Sequence, residues 1–354
     1  MKGLILSGGH GTRLRPITHT QAKQLIPVAN KPVLFYGIES LAEAGIKEIG
    51  IVVGHTKDEI MQAVGDGSSW NVKVTYIYQP EPLGLAHAVM ISEDFIKDEP
   101  FVMYLGDNIL KSGIKRFVEE FYSIKPNSLI LLSEVKNPEQ FGVAEIENGR
   151  IKRLIEKPKI PPSNLALVGV YIFDRNIFDA VKNIKPSWRN ELEITDAIQY
   201  LVDKGFNVLP HIVKGWWKDT GKLDDILEAN RLILEDIETS IESPVEEGNR
   251  IEGRVRIGKN CKIKDSYIRG PAVIGDDCQL IDCYIGPFTS IESNCFIHKV
   301  EIENSIILSG TLIDQINGRI ERSLIGRNCR IRRDFLKPKG YRLMLGENSE
   351  IGLE

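Results

Sequence analysis

The sequence has no long hydrophobic run, since no stretch approaches the roughly 20 apolar residues that a membrane-spanning helix needs. It has no excess of either charge: 45 Lys and Arg stand against 49 Asp and Glu, for a net charge of -4. That balance gives no reason to expect binding to nucleic acid or to an anionic membrane. Met1 and Lys2 lead directly into an apolar run, which leaves no room for a signal peptide. We therefore expect a cytoplasmic protein that binds neither membranes nor nucleic acids.

Cysteine is scarce, with five in 354 residues, and none forms a CxxC pair. Cys261, Cys278 and Cys295 are 17 residues apart, Cys329 follows 34 residues later, and Cys283 is out of phase. This spacing suits neither a zinc site nor a disulfide framework. It predicts free thiols that fill the core of a repeated structure in a reducing compartment.

The length suits two domains. In residues 1–240 short apolar runs alternate with amphipathic segments, which predicts a Rossmann-like α/β domain with a mainly parallel sheet. The predicted strands are residues 3–6, 48–53, 72–78, 101–105, 128–134 and 167–173, and the predicted helices are residues 33–44, 57–64, 84–91 and 195–204.

Residues 250–333 have a different sequence pattern, in which an apolar position recurs every 17 residues at Ile257, Ile274, Ile291, Leu308 and Ile325. This period predicts about five coils of a parallel β-helix, whose ends and flat sides favour a homo-oligomer. The six- and five-residue steps within a period resemble the left-handed β-helix of hexapeptide-repeat proteins. The phase slips around residues 312–319, which predicts an inserted loop. Residues 334–354 show no period and are predicted to form a separate C-terminal tail.

The first apolar run ends in a glycine-rich turn that spans Ser7 to Arg13 and contains Gly8, Gly9 and Gly11. Glycines bring backbone N–H groups close to an anion, and Arg13, Arg15 and Lys23 supply positive charge. The turn fits neither the GxxxxGK[ST] loop nor the GxGxxG fingerprint. On these residues alone, a phosphate site and a simple strand-to-helix turn both remain possible.

A longer pattern resembles a known family. The segments GGHGTRL (8–14), KQLIPV (23–28) and KP (31–32) are similar to the GGxGTRL…KQL.PV..KP signature of sugar-phosphate nucleotidylyltransferases. LGDN (105–108), EKP (156–158), ELEITD (191–196) and W.DTG (217–221) resemble its other motifs, so the resemblance covers nearly the whole chain. The pattern is most similar to the long forms that carry a C-terminal left-handed β-helix. It implies nucleotidyl transfer from dTTP to glucose-1-phosphate, which gives dTDP-glucose and pyrophosphate by Mg²⁺-assisted in-line attack.

Two aspartates are the candidate metal ligands. Asp107 follows an apolar run and could be a helix cap, and Asp219 lies in an Asp-Thr-Gly segment that could be a turn. Magnesium is commonly held by one or two carboxylates together with substrate phosphates. The resemblance implies that both aspartates bind Mg²⁺. The catalytic set that it implies is Arg13, Lys23, Asp107, Lys157 and Asp219.

The resemblance also implies two sets of ligand-binding residues. The nucleotide set is Leu6, Gly8, Gly9, Gly11, Thr12, Arg13, Gln24, Gln79 and Gly84, of which Gln79 and Gly84 would read the thymine base. The sugar set is Gly142, Glu156, Lys157, Tyr171, Glu191 and Trp217. His10 is interpreted as a neighbour of the phosphates rather than a base, because a sugar phosphate already presents an ionised nucleophile.

Three alternatives stay open. The same chemistry could use another nucleotide such as UTP. The β-helix could carry a sugar-phosphate acetyltransferase site, for which His298 is the one hint. The chain could also be a regulatory or binding protein of this architecture without activity, although the presence of all five predicted catalytic residues argues against a decayed site.

Overall fold

The computed structural model describes residues 1–333. The chain divides into two compact units, the first spanning Met1–Ile237 and the second beginning at Glu238. Within the described residues, no helix combines the length and the apolar character that crossing a membrane requires. The predicted tail, residues 334–354, lies outside the described part of the chain.

The first unit is built on a nine-stranded sheet. Its central strand, Lys2–Ser7, is buried along its whole length and pairs in parallel with Glu48–Val53 and Phe101–Leu105. Leu165–Phe173 runs antiparallel to Phe101–Leu105 and adds a mixed half to the sheet. The other strands of the sheet are Lys73–Tyr78, Ser128–Glu134, Gly142–Glu147, Arg150–Glu156 and Val208–Ile212. The predicted α/β class with a mainly parallel sheet is confirmed.

Helices cover both faces of this sheet. Successive side chains of a strand point to opposite faces. Leu4 and Leu6 accordingly belong to one apolar cluster, whereas Ile5 belongs to another. Burial on both faces explains why the strand is a continuous apolar run in the sequence. The helices are Val33–Glu43, Lys57–Val64, Leu85–Met90, Glu93–Ile96, Lys115–Ile124, Asn176–Asn183, Ile194–Asp203 and Leu223–Leu234.

The second unit consists of short strands in three parallel sheets, which the chain visits in a constant order from Arg250 onward. One sheet contains Ser240–Ile241, Val255–Ile257, Ala272–Ile274, Thr289–Ile291, Ile306–Ile307 and Leu324–Ile325. The second contains Arg250–Glu252, Tyr267–Arg269, Tyr284–Ile285, Glu301–Glu303 and Arg319–Glu321. The third contains Lys262–Lys264, Gln279–Ile281, Phe296–His298, Leu312–Asp314 and Arg330–Arg332. Such stacked sheets are those of a parallel β-helix, as predicted, and the left-handed sense stays a prediction.

The corners of the coils explain the polar residue before each repeated cysteine. Asn260, Asp277, Asn294 and Asn328 have φ values of 57°, 57°, 61° and 55°, in the left-handed region that Asn and Asp tolerate best after glycine. The cysteine that follows turns inward, and the Sγ of Cys261, for example, donates to the carbonyl oxygen of Gly275 at 3.0 Å. All five cysteines are free.

The slip in the repeat has a defined position. Ile291 pairs with Ile307 rather than with Leu308, so the prediction that Leu308 occupies the repeated position is wrong, although its side chain is buried. From Ser290 to its partner Ile306 the chain advances 16 residues, and from Ile306 to Leu324 it advances 18. The additional residues lie between Asp314 and Arg319, within the predicted inserted loop.

Candidate active site

The glycine turn lies at the carboxyl end of the central strand. Gly11 has a φ of 63°, which glycine adopts without strain, and the helical turn Thr12–Leu14 follows it. A Cβ on Gly8 would lie 3.0 Å from Oε1 of Gln79, and one on Gly9 would lie 3.5 Å from Cε of Lys23. The absence of side chains thus lets both residues approach the loop, as a site for phosphates and a base would require.

The two predicted metal ligands meet through a small two-stranded sheet. Asn108–Leu110 pairs antiparallel with Trp217–Asp219, and the register places Asp219 opposite Asn108. The backbone N–H and the Oγ1 of Thr220 both donate to the carbonyl oxygen of Asp107, at 2.9 and 2.8 Å. Segments more than 100 residues apart in the sequence are therefore fixed side by side at the end of the sheet.

The two carboxylates have opposite electrostatic surroundings. Burial disfavours the charged form of Asp107, but the Lys23 ammonium and hydrogen bonds from Lys23 and Asn108 outweigh it and hold the pKa of Asp107 below its usual value. Burial and the neighbouring Asp107 raise the pKa of Asp219 to about 6, against the attraction of Lys23 and Arg13. The Oδ1 of Asp219 is buried without a hydrogen-bond partner. One carboxylate is thus compensated in the protein alone and the other is not.

A cavity of about 400 Å³ lies over the glycine turn. It is lined by every residue of the predicted nucleotide set, Leu6, Gly8, Gly9, Gly11, Thr12, Arg13, Gln24, Gln79 and Gly84, together with Lys23 and Asp107. His10 lines it as well, with its ring packed on that of His55 at a centroid distance of 4.4 Å. The turn, the cations Arg13 and Lys23 and the carboxylate of Asp107 therefore share a single cavity.

A second cavity, of about 440 Å³, adjoins the first. Of the predicted sugar set it is lined by Gly142, Glu156, Lys157, Tyr171 and Trp217, and Asp219 lines it too. Glu191 lines the other cavity instead. Arg13 and Arg189 line both. The two aspartates and these two arginines thus stand where the cavities join.

Sequence reasoning missed Arg189. Its Nη2 contacts Oε1 and Oε2 of Glu191 at 2.8 and 2.9 Å, and its Nη1 lies 3.5 Å from Glu156 and Glu193. Glu191 thereby holds the guanidinium at the junction. The signal was available, since Arg189 directly precedes the segment that begins at Asn190 and carries the ELEITD motif.

Glu156 is positioned by a neighbour that was also missed. Its Oε2 accepts a hydrogen bond from Oγ1 of Thr195 at 2.7 Å, and a Cβ on Gly142 would lie 3.0 Å from the same oxygen. Nζ of Lys157 lies 3.6 Å from Oε1 of Glu156. Tyr171 is almost fully buried, and burial raises the pKa of its hydroxyl. This wall of the cavity thus presents a fixed carboxylate and a more exposed ammonium.

The loop that contains Gly84, one of the two residues predicted to read the base, is hydrogen-bonded to the segment that follows Arg189. The N–H of Leu192 donates to the carbonyl oxygen of Leu83 at 2.8 Å, and that of Ala86 donates to the carbonyl oxygen of Leu192 at 3.0 Å. Gly84 has a φ of 105°, and a Cβ there would lie 2.4 Å from the Leu192 oxygen. Only glycine fits this close backbone approach.

The aspartate pair suits a magnesium ion that is completed by substrate. Residues 1–333 contain no cluster of three or more His, Cys, Asp or Glu side chains that could hold a metal by themselves. Asp107 and Asp219 offer two carboxylates, and the unpartnered Oδ1 of Asp219 is a buried acceptor for which the protein supplies no donor. Magnesium favours such a partial oxygen site and takes its other ligands from phosphates and water.

The fold and the site define a class of protein, the nucleotidyltransferases. Residues 2–236 match the nucleotidyl transferase family, and the chain belongs to that family. A solved structure of UDP-glucose pyrophosphorylase complexed with UDP-glucose is 29% identical, with a TM-score of 0.60, and the match covers 67% of this chain and 99% of that one.

Two curated relatives are similar along the full length. A glucose-1-phosphate thymidylyltransferase of Streptomyces antibioticus is 50% identical over 356 residues, which cover all of both proteins. A nucleotidyltransferase of low-salt glycan biosynthesis from Haloferax volcanii is 51% identical over 359 residues, again over all of both chains. The second unit is therefore part of the similarity.

Proposed function

We propose that the protein transfers a thymidylyl group from dTTP to glucose-1-phosphate, which yields dTDP-glucose and pyrophosphate. The observation that carries this proposal is the pair of adjoining cavities, joined where Asp107, Asp219, Arg13 and Arg189 meet. One cavity has the glycine turn that suits a triphosphate, and the other has the carboxylate and lysine that suit a sugar phosphate. The full-length similarity to a glucose-1-phosphate thymidylyltransferase supports the same substrates.

The chemistry needs positioning and charge neutralisation more than proton transfer. An oxygen of the sugar phosphate attacks the α-phosphorus of dTTP in line, a new P–O bond forms, and the bond to the β-phosphate breaks to release pyrophosphate. The N–H groups of Gly8 to Gly11 and the cations Arg13 and Lys23 stabilise the charge that develops on the leaving group. Lys157 and Arg189 hold the attacking phosphate.

The proposed cofactor is Mg²⁺, held by Asp107 and Asp219 together with substrate phosphates. When bound, it supplies a positive charge that polarises the phosphoryl oxygens. The arrangement of the protein's own groups supports this, since two mostly buried carboxylates are neighbours, Asp107 is paired with Lys23, and Oδ1 of Asp219 has no hydrogen-bond partner.

Gln79 is the residue that we assign to the base. Its Nε2 contacts the carbonyl oxygen of Gly84 at 3.3 Å and Nδ1 of His87 at 3.0 Å, so its amide donor is engaged. Its Oε1 faces Gly8 and can accept a hydrogen bond from N3–H of thymine. Cytosine has an acceptor at N3 and would leave this oxygen without a donor. Uracil has the same edge as thymine, so the choice against UTP depends on other contacts.

We propose in addition that the protein works in the cytoplasm as a homo-oligomer. The five free cysteines suit a reducing compartment. Within residues 1–333, the strands Arg319–Glu321, Leu324–Ile325 and Arg330–Arg332 pair on one side only, and such edges favour association.

The test is a pyrophosphate-release assay with glucose-1-phosphate, Mg²⁺ and dTTP, UTP, CTP or ATP in separate reactions. We expect the fastest release with dTTP and the slowest with CTP or ATP. Release that is fastest with CTP would refute the role of Gln79 and keep the transferase. Absence of release with any nucleotide and with other sugar phosphates would favour a binding protein of the same architecture.

A further inference from the structure

A lysine is paired with one of the two candidate metal ligands. Lys23 lies on the short helical turn Lys23–Leu25, and its Nζ forms an ion pair with Oδ2 of Asp107. Only 15% of the lysine side chain and 13% of the aspartate side chain are exposed. The other oxygen of Asp107, Oδ1, accepts a hydrogen bond from Nδ2 of Asn108 at 3.0 Å. Both oxygens of Asp107 therefore accept a donor, and a metal ion that approaches Oδ2 meets the positive charge of the Lys23 ammonium.

The charges around the pair oppose the binding of a metal ion on its own. Asp107 and Asp219 lie with Lys23 and Arg13, whose guanidinium is close to Asp219 and Gly221. The neighbouring carboxylates Asp224 and Asp225 are offset by Lys218 and Lys222. A divalent cation added to this balanced group would leave a large positive charge in a mostly buried place, which is costly. A triphosphate that arrives with the ion brings the missing negative charge.

The ammonium of Lys23 can also reach the cavity over the glycine turn. Its side chain lines the cavity over the glycine turn, with Cε facing Gly9 and Cβ facing Gly11. A rotation of this flexible side chain can move the ammonium from Asp107 to a phosphate oxygen in that cavity. The movement keeps the ammonium paired and exposes Oδ2 of Asp107 at the same time.

We infer that Lys23 is a stand-in for the metal ion: it occupies Asp107 until a triphosphate binds, so that the divalent cation enters the site with the nucleotide and not before it. The inference rests on the proposed function for the identity of the site. It adds an order of loading, which makes Lys23 a positioning residue for the metal as well as a contact for phosphate.

The test measures metal binding directly, without nucleotide or sugar phosphate. Mn²⁺ serves as the probe, and its free concentration is followed by electron paramagnetic resonance during titration of the full-length protein. We expect weak binding to the wild type. Lys23→Met removes the competing ammonium, so the metal-competent state becomes fully populated and the affinity for Mn²⁺ should rise by roughly tenfold or more. Mn²⁺ should also raise the Tm of this variant more than that of the wild type.

Three controls locate the effect. Lys23→Arg keeps the positive charge and should bind Mn²⁺ as weakly as the wild type. Lys152→Met frees Glu145 and Glu147, two carboxylates near the surface, from an ion pair with a lysine and should create no tight site. Adding Asp107→Asn to Lys23→Met should abolish the gained affinity, because the ion then lacks its ligand.

The inference is overturned if the wild type binds Mn²⁺ tightly without nucleotide, or if Lys23→Met binds it no better than the wild type does. Should Lys23→Met fail to fold, Lys23→Gln provides the same loss of charge with a polar side chain. These outcomes are independent of the proposed function, since a protein that turns over no substrate can still show the exchange of lysine for metal, and an active enzyme can fail to show it.

Discussion

Replacing Asp219 with Asn should stop turnover and stabilise the first unit at the same time. Asp219 is half-buried with an Oδ1 that is fully buried and has no partner, and its pKa is raised from 3.8 to about 6. A shift of this size corresponds to roughly 3 kcal/mol of folding free energy at neutral pH, and partial relaxation around the pair reduces the expected gain to about 2. Loss of the proposed metal ligand should lower kcat by about a thousandfold.

The sign of the pH dependence follows from the direction of the shift. Because the folded state holds this proton more tightly than the unfolded state does, the penalty that Asp219 imposes on folding grows as the pH rises from 3.8 to about 6 and is constant above that range. The advantage of Asp219→Asn over the wild type should therefore be complete above about pH 6.5, fall to about half near pH 5, and vanish below about pH 4.

Urea unfolding can be monitored by tryptophan fluorescence, which reports on the first unit because all four tryptophans lie there: Trp70, Trp188, Trp216 and Trp217. Measurements at pH 7.5 and pH 5.0, with EDTA to remove metal, separate the electrostatic effect from metal binding. Asp94→Asn, at an exposed position, is the matched control and should change stability by a few tenths of a kcal/mol. An Asp219→Asn protein that is less stable than the wild type at pH 7.5 would refute the reasoning.

The other predictions concern three residues of the same site. Asp107→Asn should also abolish turnover, but it should lower the free energy of unfolding in urea by about 3 kcal/mol, because it leaves the Lys23 ammonium buried without its carboxylate. Equal stability would show that the ion pair is unimportant to folding. Gln79→Ala should raise the KM for dTTP by about tenfold and weaken discrimination against CTP, because an acceptor for the base is lost; unchanged relative kcat/KM for the two nucleotides would remove Gln79 from base recognition. Gly84→Ala should cost about 2 kcal/mol or more and raise the KM for dTTP, since its Cβ would lie 2.4 Å from the Leu192 oxygen; a variant with wild-type Tm would show that the loop can shift.

Sequence patterns predicted the elements whose periodicity is set by burial. The strand at Glu48–Val53 was predicted to the residue because both of its faces are covered, which requires a continuous apolar run. The sequence did not show which strands would pair antiparallel. Leu165–Phe173 joins the sheet in that direction. The direction of pairing depends on the path of the connecting chain, which hydrophobic periodicity does not encode.

The candidate site was predicted as a set of motifs, and its internal contacts were not. The glycine positions and the two aspartates were assigned through the resemblance of their motifs to a family, because the residue types alone left a simple turn or a helix cap possible. The role of Lys23 as the partner of Asp107 depends on a side-chain conformation in the absence of substrate. Arg189 was missed although its partner Glu191 is only two residues away, because its place between two cavities depends on the tertiary fold.

The coils from Ser290 onward differ in length. The 16-residue advance to Ile306 is followed by an 18-residue advance to Leu324. Ile325 therefore lies two full periods of 17 residues after Ile291, with which it shares a sheet. Length changes in this unit therefore fall in the connections between strands, where they leave the parallel pairing of successive coils intact, so insertions and deletions of one or two residues should be tolerated there more readily than within a strand.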